Sequence, residues 1–110
     1  MEITVRNEGE VSIVDFEGNL ETSTAAEAES AINQIIDDGS TRLLINFEKL
    51  NYISSAGLRI LLATAKKLKP LSGELRICNL NATVQEVFDI SGFSSILTVA
   101  ATEEDALGTF

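Results

Sequence analysis

The chain opens with two β-type runs. Ile3-Thr4-Val5-Arg6 alternates apolar and polar positions, as a half-buried strand does, and Val11 to Phe16 is a second β-rich run. Between them, Asn7-Glu8-Gly9-Glu10 is turn sequence, so the pair predicts a hairpin. Gly18-Asn19 breaks the pattern. From Thr22 to Asp38, Ala25, Ala28, Ile32, Ile35 and Ile36 recur at steps of three and four, which predicts a helix. Thr24-x-x-Glu27 has the form of a capping box, with Thr22 and Ser23 as alternative caps, and Gly39 supplies the C-terminal stop. Leu43-Leu44-Ile45 with Phe47 is a short, wholly apolar run, suited to a strand covered on both faces.

The period then returns to that of a helix. Leu58, Leu61, Leu62, Ala65 and Leu68 form one apolar stripe starting after Ser54, and Lys66, Lys67 and Lys69 lie where a helix C-terminus favours positive charge. Pro70 and Gly73 close this helix. Leu75-Arg76-Ile77-Cys78 reads as a strand, Val84, Val87 and Phe88 mark a third helix stopped at Ser91-Gly92, and Ile96 to Val99 reads as a last strand. Thr102 begins a terminal helix with Glu103, Glu104 and Asp105 in its first turn. The predicted order is ββαβαβαβα. That is an α/β domain with about four helices on a mixed, mostly parallel sheet, the hairpin at its N-terminal edge.

Size and composition fit one domain over residues 1–110, with 45% apolar and 23% charged residues. No stretch reaches the roughly 18 apolar residues of a membrane span. Met1–Glu10 is polar and lacks the apolar run of a secretory signal, which points to the cytoplasm. The single cysteine, Cys78, forms no internal disulfide and reads as a small core residue rather than a redox thiol. The net charge of −9 is uneven: −9 over residues 1–40, +5 over 41–80 and −5 over 81–110. An acidic surface favours solubility, and with 5% aromatic residues it argues against a nucleic-acid partner.

Candidate chemistry is sparse. There is no histidine, no phosphate-binding glycine loop, no nucleophile elbow and no cysteine-rich metal pattern, so no catalytic residue, metal or cofactor is assigned. One segment stands out: Asn51-Tyr52-Ile53-Ser54-Ser55-Ala56-Gly57-Leu58. Two hydroxyls and a glycine fall where the central strand region meets the second helix, at the strand end where open α/β sheets place their sites. Ser54 reads as the N-cap, its hydroxyl engaged by backbone N–H groups. Gly57 weakens a first helical turn, so it reads as a point where another backbone or a bulky group comes close. Arg59 reads either as an exposed helix position or as a partner anchor.

The stretch Asn51–Arg59 resembles the signature of STAS-domain anti-sigma-factor antagonists. Gly18-Asn19-Leu20, Leu44-Ile45-Asn46-Phe47, Cys78-Asn79-Leu80-Asn81 and Val87-Phe88-Asp89-Ile90-Ser91-Gly92 resemble the family's other segments, in the same order. The resemblance implies a partner-switching protein rather than an enzyme. An anti-sigma factor with serine kinase activity would be bound by the unmodified chain and released on phosphorylation, and a phosphatase would reset it. The acceptor maps to Ser55. Ser54 stands where many members carry aspartate. The implied binding surface comprises Gly18, Asn19, Leu20, Ser54, Ser55, Ala56, Gly57 and Arg59. Other STAS domains accompany membrane lipid transporters, so an accessory subunit of an ABC transporter is the alternative, and a small enzyme a third.

Overall fold

A computed structural model describes all residues from Met1 to Phe110. The hairpin forms as the alternation predicts. Strand β1, Glu2–Glu8, runs antiparallel to β2, Val11–Leu20, with Ile3 opposite Phe16 and Val5 opposite Val14. Gly9, at φ +61°, makes the turn. Helix α1 spans Ala25–Asp37 and buries Ala28, Ile32 and Ile36. Its end is a Schellman arrangement: Gly39, at φ +107°, donates its N–H to Ile36 O, and Ser40 donates to Ile35 O.

Strand β3, Arg42–Asn46, follows, then β4, Leu50–Ile53, and helix α2, Ser55–Leu68. A 3-10 turn at Lys69–Leu71, holding Pro70, leads to β5, Glu74–Cys78. Helix α3, Ala82–Ser91, is capped by Asn81, whose side chain accepts from Val84 N. A second 3-10 turn, Phe93–Ser95, leads to β6, Thr98–Ala100, and α4, Glu103–Leu107, capped by Thr102.

The sheet order is β1-β2-β3-β5-β6, with β4 pairing β2 beyond β3. Only β1 is antiparallel to its neighbour. The sheet is therefore mixed and mostly parallel, with the hairpin at one edge and four helices, as expected.

Four expectations need correction. Strand β2 does not end at Gly18-Asn19 but runs through them to Leu20, with Gly18 at φ +114° and a register shift after it. The order is ββαββαβαβα, because Leu50–Ile53 is a strand of its own. Its inward positions are Leu50 and Ile53, with Asn51 and Tyr52 exposed between them, so no two-residue alternation announces it. Helix α1 starts at Ala25, not Thr22, and no capping box forms. The Thr24 hydroxyl donates to Asn19 O and accepts from Glu21 N, which makes residues 21–24 a turn. The last strand begins at Thr98; Ile96 is 60% exposed and precedes it.

Two cores follow from the period of β3. Leu43 and Ile45 face one way, with Val14, Phe16 and Ile77, into a core closed by α1, α2 and α3. Leu44 faces the other way, with Ile13, Cys78 and Ala106 of α4, and Phe110 packs at its margin. A strand buried on both sides has no polar face to show, which is why its sequence is continuously apolar.

Candidate functional site

Parallel pairing of β2 with β4 builds the site. Gly18 lies opposite Leu50, Asn19 opposite Tyr52, and Leu20 opposite Ile53, with a register shift between Gly18 and Asn19. The two strands therefore end side by side. Ser54 N donates to Leu20 O at 2.9 Å and fastens the start of α2 to the end of β2. Asn19 O accepts from the Thr24 hydroxyl at 2.7 Å, which fixes the loop leaving β2. Asn81 holds the other side, donating to Leu50 O at 2.8 Å.

Gly57 explains why the helix can start there. A Cβ at this position would lie 2.8 Å from Leu20 O and from Leu20 Cγ, and 2.7 Å from Ile53 Cγ1. The close-approaching backbone is thus the chain's own β2. Gly57 and Leu20 are buried, so neither offers a side chain to a partner. This corrects their place in the expected binding surface: they form the packing beneath it. A side chain at 57 has no room against Leu20 and Ile53.

Ser54 takes the N-cap position, at φ −102° and ψ 177°, but its side chain makes no capping hydrogen bond. Its Oγ is buried without a partner. The expected occupation of this hydroxyl by backbone donors does not occur. Ser55 is the first residue of α2 and is exposed, as are Asn19 and Arg59; Gly18 and Ala56 are half-buried. The first-turn N–H groups of α2, beside Ser55, have no side-chain cap. Tyr52, 43% exposed and in register with Asn19, joins this surface. Nothing in the sequence marks Tyr52 for this surface, because β4 has no two-residue alternation to announce a strand.

A second polar cluster lies on the sheet face that α4 only partly covers. Arg6 donates to Asp15 Oδ2 at 2.6 Å and Oδ1 at 2.9 Å, and also to Glu103 of α4. Asn46 donates to Glu103 Oε1 at 3.0 Å and accepts from Asn79 and from Glu48 N. These residues line a groove of about 470 Å³ with Glu2, Thr4 and Lys49. The Asp15 and Glu103 bonds push the Arg6 guanidinium still further toward its charged form, and the Arg6 bond holds Glu103 below the usual carboxylate range. Burial, reinforced by Glu103 and Asp15, pushes the Cys78 thiol up to about 12, which suits a core residue and not a reactive thiolate.

Residues 2–106 match the family model of the STAS domain. The chain belongs to the STAS-domain family of anti-sigma-factor antagonists. This STAS domain is 38% identical over 110 residues to BtrV of Bordetella bronchiseptica, assigned as an anti-sigma factor antagonist, covering all of this chain and 95% of that one. It is 27% identical over 105 residues to the anti-sigma-F factor antagonist RsfB of Mycobacterium tuberculosis, covering 96% of this chain and 85% of that one. The crystal structure of an anti-sigma factor antagonist from Mycobacterium paratuberculosis superposes with a TM-score of 0.90 at 26% identity, over 98% of this chain and 92% of that one. No helix is long and apolar enough to cross a membrane.

Proposed function

We propose that this STAS domain is an anti-sigma factor antagonist whose binding is controlled by phosphorylation of Ser55. The observation that carries the reading is the contrast between two adjacent serines: Ser55 presents an exposed hydroxyl at the start of α2, whereas the Ser54 hydroxyl is buried. The unmodified domain binds an anti-sigma factor with serine kinase activity through Asn19, Tyr52, Ser55, Ala56 and Arg59, and so frees the sigma factor. The kinase supplies ATP and metal; this domain contributes the acceptor and performs no catalysis. A phosphatase restores the unmodified form. A phosphate adds about −1.5 to −2 charge. Pressed into a close interface, that charge loses hydration, and an unpaired buried ion costs several kcal/mol. About 4 kcal/mol weakens binding roughly a thousandfold.

The test is incubation with the cognate anti-sigma factor kinase and ATP, followed by peptide mass spectrometry and a pull-down. Phosphate is expected on Ser55, with loss of the complex. Ser55→Ala is expected to stay bound and unmodified, and Ser54→Ala to accept phosphate. Phosphate on Ser54 alone, or on neither, sinks the assignment.

A further inference from the structure

The charge that the switch acts on can be identified from α2 itself. Four of the eight cations, Arg6, Arg42, Lys67 and Arg76, are engaged with carboxylates. Three of the remaining four, Arg59, Lys66 and Lys69, lie on α2 or at its end, and α2 contains no acidic residue. Ser55, Arg59, Ala63 and Lys66 are all exposed and follow one another at steps of three and four, so they form a single stripe along the helix. This basic stripe lies on a molecule of net charge −9. An unpaired basic strip on an acidic protein is complementary to an acidic surface and repels a basic one.

Arg59 sits four residues beyond Ser55. Helical side chains lean toward the N-terminus, so an exposed Arg59 side chain is within reach of the turn that carries Ser55. A phosphate there and a guanidinium at i+4 match in charge and in bidentate geometry.

We propose that Arg59 is the switched charge: it pairs with a carboxylate of the acidic partner surface while Ser55 is unmodified, and is captured within the chain by the phosphate once Ser55 is phosphorylated. Modification then does two things. It places an anion at the contact, and it withdraws the cation that attracted the partner. This rests on Ser55 being the acceptor, so the first arm of the test installs phosphoserine at 55 during synthesis of the chain and needs no phosphorylation by a kinase.

Phosphorus NMR titration of that protein reads the second ionisation of the phosphate in the parent chain, in Arg59→Gln and in Lys66→Gln. The second ionisation is expected about 0.3–0.5 lower in the parent and in Lys66→Gln than in Arg59→Gln, the size of a helical i,i+4 ion pair or somewhat more. Equal values in parent and Arg59→Gln overturn the capture. In a second arm, the unphosphorylated Arg59→Gln chain is titrated with the anti-sigma factor kinase at about 50 and 300 mM salt. Weakening of about tenfold at low salt, shrinking at high salt, supports the pairing with an acidic surface. Unchanged affinity at both salts overturns it. Arg59 is exposed and unpaired, so the thermal midpoint of Arg59→Gln serves as the check that the fold is intact.

Discussion

Residues 54 to 57 divide their tasks by the direction each side chain takes. Ser54 turns its hydroxyl inward, where it finds no partner. A serine at a helix start that caps the helix loses about 1 kcal/mol on replacement by alanine. Here no such bond exists, so Ser54→Ala is expected to change the unfolding free energy by less than about 0.5 kcal/mol, or to raise it, since an unpaired buried hydroxyl is itself a cost. Urea denaturation decides this; a loss above 1 kcal/mol would mean that the hydroxyl caps after all. Gly57 predicts the opposite. Alanine gains helix propensity, but its methyl would press on Leu20 O, a backbone atom with nowhere to move. Gly57→Ala is therefore expected to lose about 1–3 kcal/mol by the same measurement, and Gly57→Phe to be unfolded. A stable, cooperative Gly57→Phe would contradict the packing. In the sequence, the need for glycine at 57 was legible as a close approach. Which backbone approaches was not, because Leu20 is far away along the chain and only the β2–β4 pairing brings it there.

Among the elements, legibility follows periodicity. Helices α1 and α2 and strands β2, β3 and β5 carry long apolar patterns, and each appears where the pattern lies. Strand β4 has four residues and two inward positions separated by Asn51 and Tyr52, so nothing local marks it; pairing with the end of β2 makes it a strand. The acids of α4 were legible as a helix start but not as ligands of Arg6, which lies 97 residues away. That ion pair fastens α4 to the sheet and makes the attachment sensitive to acid. Glu103 has its folded pKa depressed by Arg6, so its contribution is present above the ordinary carboxylate value and is lost as pH falls through the lower folded value. Arg6 is 44% exposed and solvent screens the pair, so the contribution is small, under about 1 kcal/mol. Glu103→Gln is expected to be less stable than the parent at pH 7, with the difference shrinking as the pH falls below the ordinary carboxylate range. Chemical denaturation across pH tests this. A gap that stays constant down to pH 3 would show that the carboxylate is not what matters.

At the scale of the whole molecule, the switch requires that a phosphate change what the domain binds without changing what it is. The two cores lie on either side of the sheet and neither includes Ser55, which is exposed at the junction of β4 and α2. The modification takes the net charge from −9 to about −11, a modest addition to the self-repulsion of a chain already acidic. Against that, the dianion meets the positive end of α2 and the first-turn N–H groups that no side chain caps. Each such interaction is worth about 0.3–1 kcal/mol, enough to offset the repulsion. The free phosphorylated domain is therefore expected to melt within about 5 °C of the unmodified one, since 1 kcal/mol moves a domain of this size by about 4–8 °C. Its scattering radius of gyration is expected to match that of the unmodified chain, whose Cα radius is 12.5 Å. Calorimetry and small-angle scattering on protein with phosphoserine installed at 55 make the comparison. A midpoint lowered by 10 °C or more, or an expanded chain, would mean that phosphate releases the partner by unfolding the domain, and the surface switch would have to be abandoned.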